Sequence, residues 1–210
     1  WKRDGHGNVD LVKSLRESCD VYYYELAQQV GIEKIAEVAR ILGLGQSFDI
    51  EMSAVTSGIV PDKLWKLSAR SREWVVGDTV NSSIGQGYVL ASPLQLAVMI
   101  ARIATGNEIL PRLIESINGV EADKGSSKLK LNKNNLNLIR KALFEVTNDK
   151  RGTAYDSRVL IKKSQIIGKS GTSQVRNISA VERTRGVLEN KDLPWEQRDH
   201  ALFVNYAPYN

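Results

Sequence analysis

The segment from Ser92 to Gly106 restricts the fold of this chain more than any other. Ser92 is a good N-cap residue, Pro93 suits the first helical position, and Gln95 completes a capping box. Gly106 then stops the helix. Between these marks, Leu94 to Ala104 is apolar nearly all round, interrupted by Gln95 and Arg102. A helix apolar on every side is stable only when other elements cover it. It is also shorter than the roughly 20 apolar residues a membrane span needs. The rest of the chain must therefore wrap it.

The wrapping elements come in an informative order. Residues 9–17 carry apolar positions at helical spacing. Ser18 and Asp20 are N-cap types, so a second helix is expected from there to Val30, with Gly31 as its stop. A third, over about 32–42, puts Ile32, Ile35, Ala36, Ala39 and Leu42 on one face. Residues 43–91 read as irregular. Residues 118–135 read as an exposed polar excursion, followed by a helix at about 134–148. Strands are expected at 164–176 and 200–207, with a mobile charged surface loop, 177–199, between them. Helices first and strands last, with no βαβ alternation, predict an α+β domain.

Composition narrows the function classes. The 210 residues are 42% apolar and 25% charged, an ordinary balance for one domain with a buried core. The net charge of +5 is scattered and forms no basic stripe, so nucleic acid is not an expected partner. A charge of that sign suits anionic lipid or wall polymer. One cysteine allows no internal disulfide. Trp1 opens the chain without an apolar leader, and the run His200–Ala207 leads into Pro208-Tyr-Asn210 with no partner strand after it. Both ends read as cuts through a larger domain.

Two short strings could carry chemistry. In Lys169-Ser-Gly-Thr172 the lysine follows Ile166, Ile167 and Gly168, so its amine is partly desolvated and its charge disfavoured unless an anion is near. Gly171 would let a ligand backbone lie against the strand. Ser170 and Thr172 offer hydroxyls, and the strand offers N–H groups, to a carboxylate or oxyanion. An edge strand with a surface lysine explains the same string. Far upstream, Ser18-Cys-Asp20 reads either as a helix cap or as a proton shuttle with an orienting polar neighbour. An S-x-x-K nucleophile string occurs once, at Ser127–Lys130, in the polar excursion with no base held against it. His6 and Cys19 are metal-ligand types, but two ligands do not close a zinc site; a loop histidine and a buried thiol are the plainer reading.

Several segments fall in one order along the whole chain: Gly5-His-Gly-Asn-Val9, Glu17-Ser-Cys-Asp-Val-Tyr22, Ser57-Gly-Ile-Val-Pro61, Gly77-Asp-Thr79, Ile84-Gly-Gln-Gly-Tyr88, Ser92-Pro-Leu-Gln95, Gly152-Thr-Ala154, Gly168-Lys-Ser-Gly-Thr172, Asp199-His-Ala-Leu-Phe203 and Tyr206-Ala-Pro208. In these it resembles the transpeptidase domain of class B penicillin-binding proteins, and Glu17-Ser-Cys-Asp20 points to the penicillin-binding protein 2 branch. The resemblance implies the penicillin-binding protein and serine β-lactamase-like fold, an antiparallel sheet with a helical subdomain. Residues 1–210 would be its C-terminal portion, incomplete at both ends, without the upstream S-x-x-K element or the last strand and helix. It implies a D,D-transpeptidase that cross-links peptidoglycan stem peptides through a serine acyl-enzyme during cell elongation and is acylated by β-lactams. Ser18 would be the shuttle serine, Asp20 its polar partner and Lys169 the stabiliser of nearby anionic states. Ser170, Gly171 and Thr172 would bind the substrate's carboxylate end, with the Thr172 N–H as half of the oxyanion hole. The chemistry would need no cofactor, though His6 and Cys19 match two ligands of a structural zinc carried by some relatives. The parent would sit in the bacterial inner membrane, its catalytic domain in the periplasm, beside a polytopic glycosyltransferase. A β-lactam sensor that does not turn over, and a scaffold of the wall-synthesis complex, are the competing readings.

Overall fold

The computed structural model describes residues 4–50, 55–123, 125, 127–161, 163–176 and 178–209. Expectations attached to Trp1, Asn210 and single positions of the polar excursion fall outside them. Eight helices are described: α1 Leu11–Arg16, α2 Asp20–Val30, α3 Ile32–Ile41, α4 Lys63–Arg70, α5 Val76–Ser83, α6 Pro93–Thr105, α7 Lys133–Asn148 and α8 Ala180–Arg185. Four strands accompany them: β1 Ser116–Ile117, β2 Val120–Glu121, β3 Ile167–Ser173 and β4 His200–Tyr206. β3 and β4 pair antiparallel with Ile167 opposite Tyr206 and Ser173 opposite His200. The architecture is the expected α+β layering.

α6 is built as its ends dictate. Ser92 accepts from the Gln95 N–H, Gln95 returns the bond to the Ser92 N–H, and Gly106 closes the helix in the left-handed region. Its Ile100 joins Leu143 of α7 and Ile167 of β3 in the core, with Ile103, Ile139, Phe144, Val204 and Tyr206 packed around them. Each such side chain contributes about 1.5–3 kcal/mol on full burial. The two polar residues that interrupt α6 are no exit to solvent. Gln95 is fully buried and donates to the carbonyls of Gln46 and Ser57, at 2.8 and 2.7 Å. Arg102, also buried, donates to Ile41 O at 2.8 Å and to Ile109 O at 3.3 Å. Gln95 satisfies two loop carbonyls, and Arg102 satisfies one at the C-terminal end of α3 and one in the segment after α6, which fastens these parts to a helix that apolar contact alone would leave unlinked.

Three expectations need correction. Residues 43–91 are not wholly irregular: Asp62 caps α4 by accepting from Trp65 N, and α5 follows. In α4 the pattern is inverted, which hid it from an apolar-face reading. Leu64 and Leu67 are exposed, whereas Lys66 is buried and paired with Asp78. Within the polar excursion, Asn118 and Gly119 both take positive φ and turn β1 into β2, the two-residue hairpin that an Asn-Gly pair favours. The loop 177–199 contains α8, opened by a Ser179–Glu182 capping box, and 3₁₀ turns at Asn190–Asp192 and Trp195–Gln197. These elements make it a structured connection.

Candidate active site

Ser18 sits in a tight turn between α1 and α2. Its φ is 53°, in the left-handed region that costs a non-glycine residue roughly 1–2 kcal/mol. The turn is held from beneath. The Arg16 guanidinium, buried, lies 3.0 Å from Glu17, 2.8 Å from Glu145 and 3.7 Å from Asp149. The Cys19 N–H donates to Ser14 O at 2.9 Å, and the Thr153 N–H donates to Arg16 O at 3.2 Å. Ser18 does not cap α2, as its residue type suggested. The N-cap is Cys19, which makes no side-chain cap bond. The left-handed backbone points the Ser18 hydroxyl elsewhere, and Asp20 becomes the first residue of the helix instead of its cap.

The hydroxyl points at Lys169. Alternation along β3 puts Ile167 and Lys169 on one face, so burying Ile167 in the core carries the lysine inward beside the α1–α2 turn. Lys169 Nζ donates to Ser18 Oγ at 2.8 Å and to Ser170 O at 2.9 Å. Burial pushes the Lys169 ammonium below the ordinary lysine value, and the Asp20 carboxylate works against that shift. Ser18, Asp20 and Lys169 are thus one electrostatic group.

The rest of β3 forms an open wall. A Cβ at Gly168 would stand 2.4 Å from Val204 O, so only glycine lets β4 approach there. At Gly171 the same atom would meet just Leu202 Cβ, at 3.9 Å. That space is free for something laid against the strand. Gly171 and Thr172 are exposed, and Ser170 is half-buried. Two neighbours of this wall went unassigned in the sequence. Thr153 Oγ1 lies 2.9 Å from Ser170 Oγ, and Gln86 Nε2 donates to Thr172 O at 3.1 Å. Both lie in glycine-rich strings, Gly152-Thr-Ala154 and Gly85-Gln-Gly87, where no periodicity assigns a direction to a side chain. Ser127, by contrast, is exposed, and its carbonyl accepts from the Glu108 N–H on the short bridge that joins Asn107 and Lys128.

His6 and Cys19 face one cavity of about 590 Å³, which Asp20, Tyr22, Tyr24 and Glu25 also line. Lys13 Nζ fastens the histidine loop through His6 O and Asn8 O, the latter at 2.9 Å. Cys19 is a buried free thiol. Among the described residues, no three His, Cys, Asp or Glu side chains come close enough to hold a metal ion.

A profile described as the penicillin binding protein transpeptidase domain matches residues 1–210. The chain belongs to the penicillin-binding protein transpeptidase family. It is 34% identical over 215 residues to peptidoglycan D,D-transpeptidase MrdA of Acinetobacter baumannii, covering 99% of this chain and 31% of that protein. Against MrdA of Escherichia coli K12 the identity is 29%, covering 100% and 34%. The chain spans about a third of the length of these curated relatives. The transpeptidase fold is also that of PBP2 in its complex with MreC from Helicobacter pylori. There the identity is 37%, the TM-score 0.82, and the coverage 100% of this chain and 36% of the other. PBP2 of Pseudomonas aeruginosa in complex with WCK 5153 gives 32%, 0.81, 100% and 43%.

Proposed function

We propose that this chain is the part of a peptidoglycan D,D-transpeptidase that supplies the proton relay and the substrate wall. The observation that carries the reading is the 2.8 Å bond from Lys169 Nζ to Ser18 Oγ, beside an open β3 edge. Because Lys169 donates to Ser18, the Ser18 hydroxyl keeps its own proton free to point into the cleft. A serine nucleophile from outside these 210 residues attacks the carbonyl of a D-Ala-D-Ala end. Its proton passes to a general base that, like the nucleophile, lies outside these 210 residues, as the tetrahedral oxyanion forms, and the Thr172 N–H is our assigned donor to that oxygen. Ser18 then gives its proton to the departing amine nitrogen and takes one from Lys169. The terminal D-Ala leaves, and the acyl group stays on the nucleophile. Attack by a second amine runs the relay in reverse. Ser170 and Thr172 hold the terminal carboxylate, and Gly171 leaves room for the peptide backbone.

The 29–37% identities to MrdA and PBP2 chains support elongation as the process. They also support a parent in the inner membrane with this domain in the periplasm. No helix of the described residues is long and apolar enough to cross a membrane, so the anchor is assigned to the rest of the protein. A chain from a peptidoglycan synthase complex that coordinates polymerization and crosslinking is 32% identical, with TM-score 0.68 over 79% of this chain. We take a polytopic glycosyltransferase as partner on that likeness, and β-lactams as inhibitors on the family. For zinc, His6 and Cys19 supply one nitrogen and one sulfur donor to a shared cavity, which suits the metal. The remaining ligands of a tetrahedral site would come from other parts of the protein. Zinc there would brace the α1–α2 turn.

The test uses the full-length protein with a fluorescent penicillin and a D-Ala-D-Ala peptide. A transpeptidase labels with the first and releases D-Ala from the second. Labelling without release would mean a sensor, and neither would mean a scaffold.

A further inference from the structure

We infer that Thr153 is a positioning residue for carboxylate recognition: it holds the Ser170 hydroxyl so that its single proton points at the incoming anion. This rests on the proposed transpeptidase reading and adds a residue to which nothing in the motifs gives a role. The two hydroxyl oxygens are 2.9 Å apart, and either could donate. Chemistry settles the direction once a carboxylate arrives. A serine hydroxyl owns one proton and two acceptor sites. If Ser170 gave that proton to Thr153, it would face the anion with lone pairs alone. If Thr153 donates instead, Ser170 is free to donate to the carboxylate, and a hydrogen bond to an ion is stronger than one between neutral groups.

Thr153 is fixed well enough to impose that direction. Its N–H donates to Arg16 O at 3.2 Å, and the next residue, Ala154, donates to Val146 O at 3.0 Å. A Cβ on Gly152 would stand 2.2 Å from Val146 O, so the backbone before Thr153 is pressed onto the end of α7. Arg16 is two residues from Ser18. Thr153 therefore ties three parts together: the turn that carries the shuttle serine, the helix behind the sheet, and the hydroxyl on the substrate wall. Its own side chain is exposed, so the fold does not depend on it.

The test compares full-length wild type, Thr153→Val and Thr153→Ser. Each is treated with a penicillin and with the methyl ester of the same penicillin, which lacks the carboxylate charge. The wild type should be acylated faster by the free acid. Thr153→Val should lose roughly three- to tenfold of that preference, the worth of one neutral hydrogen bond. Its ester rate and melting temperature should stay unchanged, and Thr153→Ser should restore the preference. An equal loss on acid and ester would mean a structural role and overturn the inference, as would an unchanged preference in Thr153→Val. A wild type that neither compound acylates would remove the transpeptidase reading itself, and this inference with it.

Discussion

Lys169 Nζ and Ser18 Oγ meet at 2.8 Å although 151 positions separate them in the chain. The contact joins the two halves of the domain: a helical turn held in a left-handed conformation, and a strand whose inner face enters the core. The site depends on both, because the turn aims the hydroxyl while the strand brings a half-buried amine to it.

The electrostatics of that pair give a pH prediction. Burial lowers the Lys169 pKa and Asp20 opposes the change. Removing the carboxylate must therefore lower it further. If protonated Lys169 is the working form, the alkaline limb of acylation lies below the ordinary lysine value, and Asp20→Asn moves it to still lower pH. A pH–rate profile of the full-length variant checks this, and an unmoved or raised limb would contradict it. Stability follows the same sign. The unfolded chain holds this proton more tightly than the folded one, so the cost of burying the charge is present below the folded pKa. It fades as pH rises toward the unfolded value.

A second prediction concerns the polar pin in α6. Gln95→Leu leaves the carbonyls of Gln46 and Ser57 and the Ser92 N–H without their partner. A fully buried group so stranded costs about 1–3 kcal/mol, and these three sit on half-buried or exposed residues, so each falls at the low end of that range. The expected loss is about 3 kcal/mol in chemical denaturation. A change below half a kcal/mol would mean that water replaces the side chain.

Much of this was legible beforehand, and the gaps have physical causes. The ends of α6 were readable because Ser92, Pro93, Gln95 and Gly106 act locally. The burial of Gln95 and Arg102 was not, since Gln46, Ser57 and Ile41 lie 38 to 61 positions away and Ile109 lies past the helix end, where no periodicity points. α4 was missed because its leucines face outward and its lysine inward. The Asn118-Gly119 turn has a local signature, but the strands it joins are two residues each and leave no alternating pattern in a polar segment. At the site, the strings holding Ser18 and Lys169 were legible through resemblance. Thr153 and Gln86 were not, because a single hydroxyl or amide contact leaves no pattern in a sequence.

The metal proposal predicts about one zinc per full-length protein. Cys19→Ser should lose it and lower the melting temperature, since a structural zinc contributes several kcal/mol to folding. Metal analysis of both proteins decides it. Equal zinc in the two would return Cys19, 5% exposed, to the role of a small buried apolar residue.

The most direct test of the account is the second-order rate of penicillin acylation in full-length Lys169→Ala. We expect a fall of at least about 100-fold, the scale of losing a proton-transfer or charge-stabilising partner. The folded stability should hold or rise slightly, because a half-buried amine with a depressed pKa is removed. An acylation rate within a few-fold of wild type, in a variant that folds normally, would contradict the assignment of Ser18 and Lys169 as the relay.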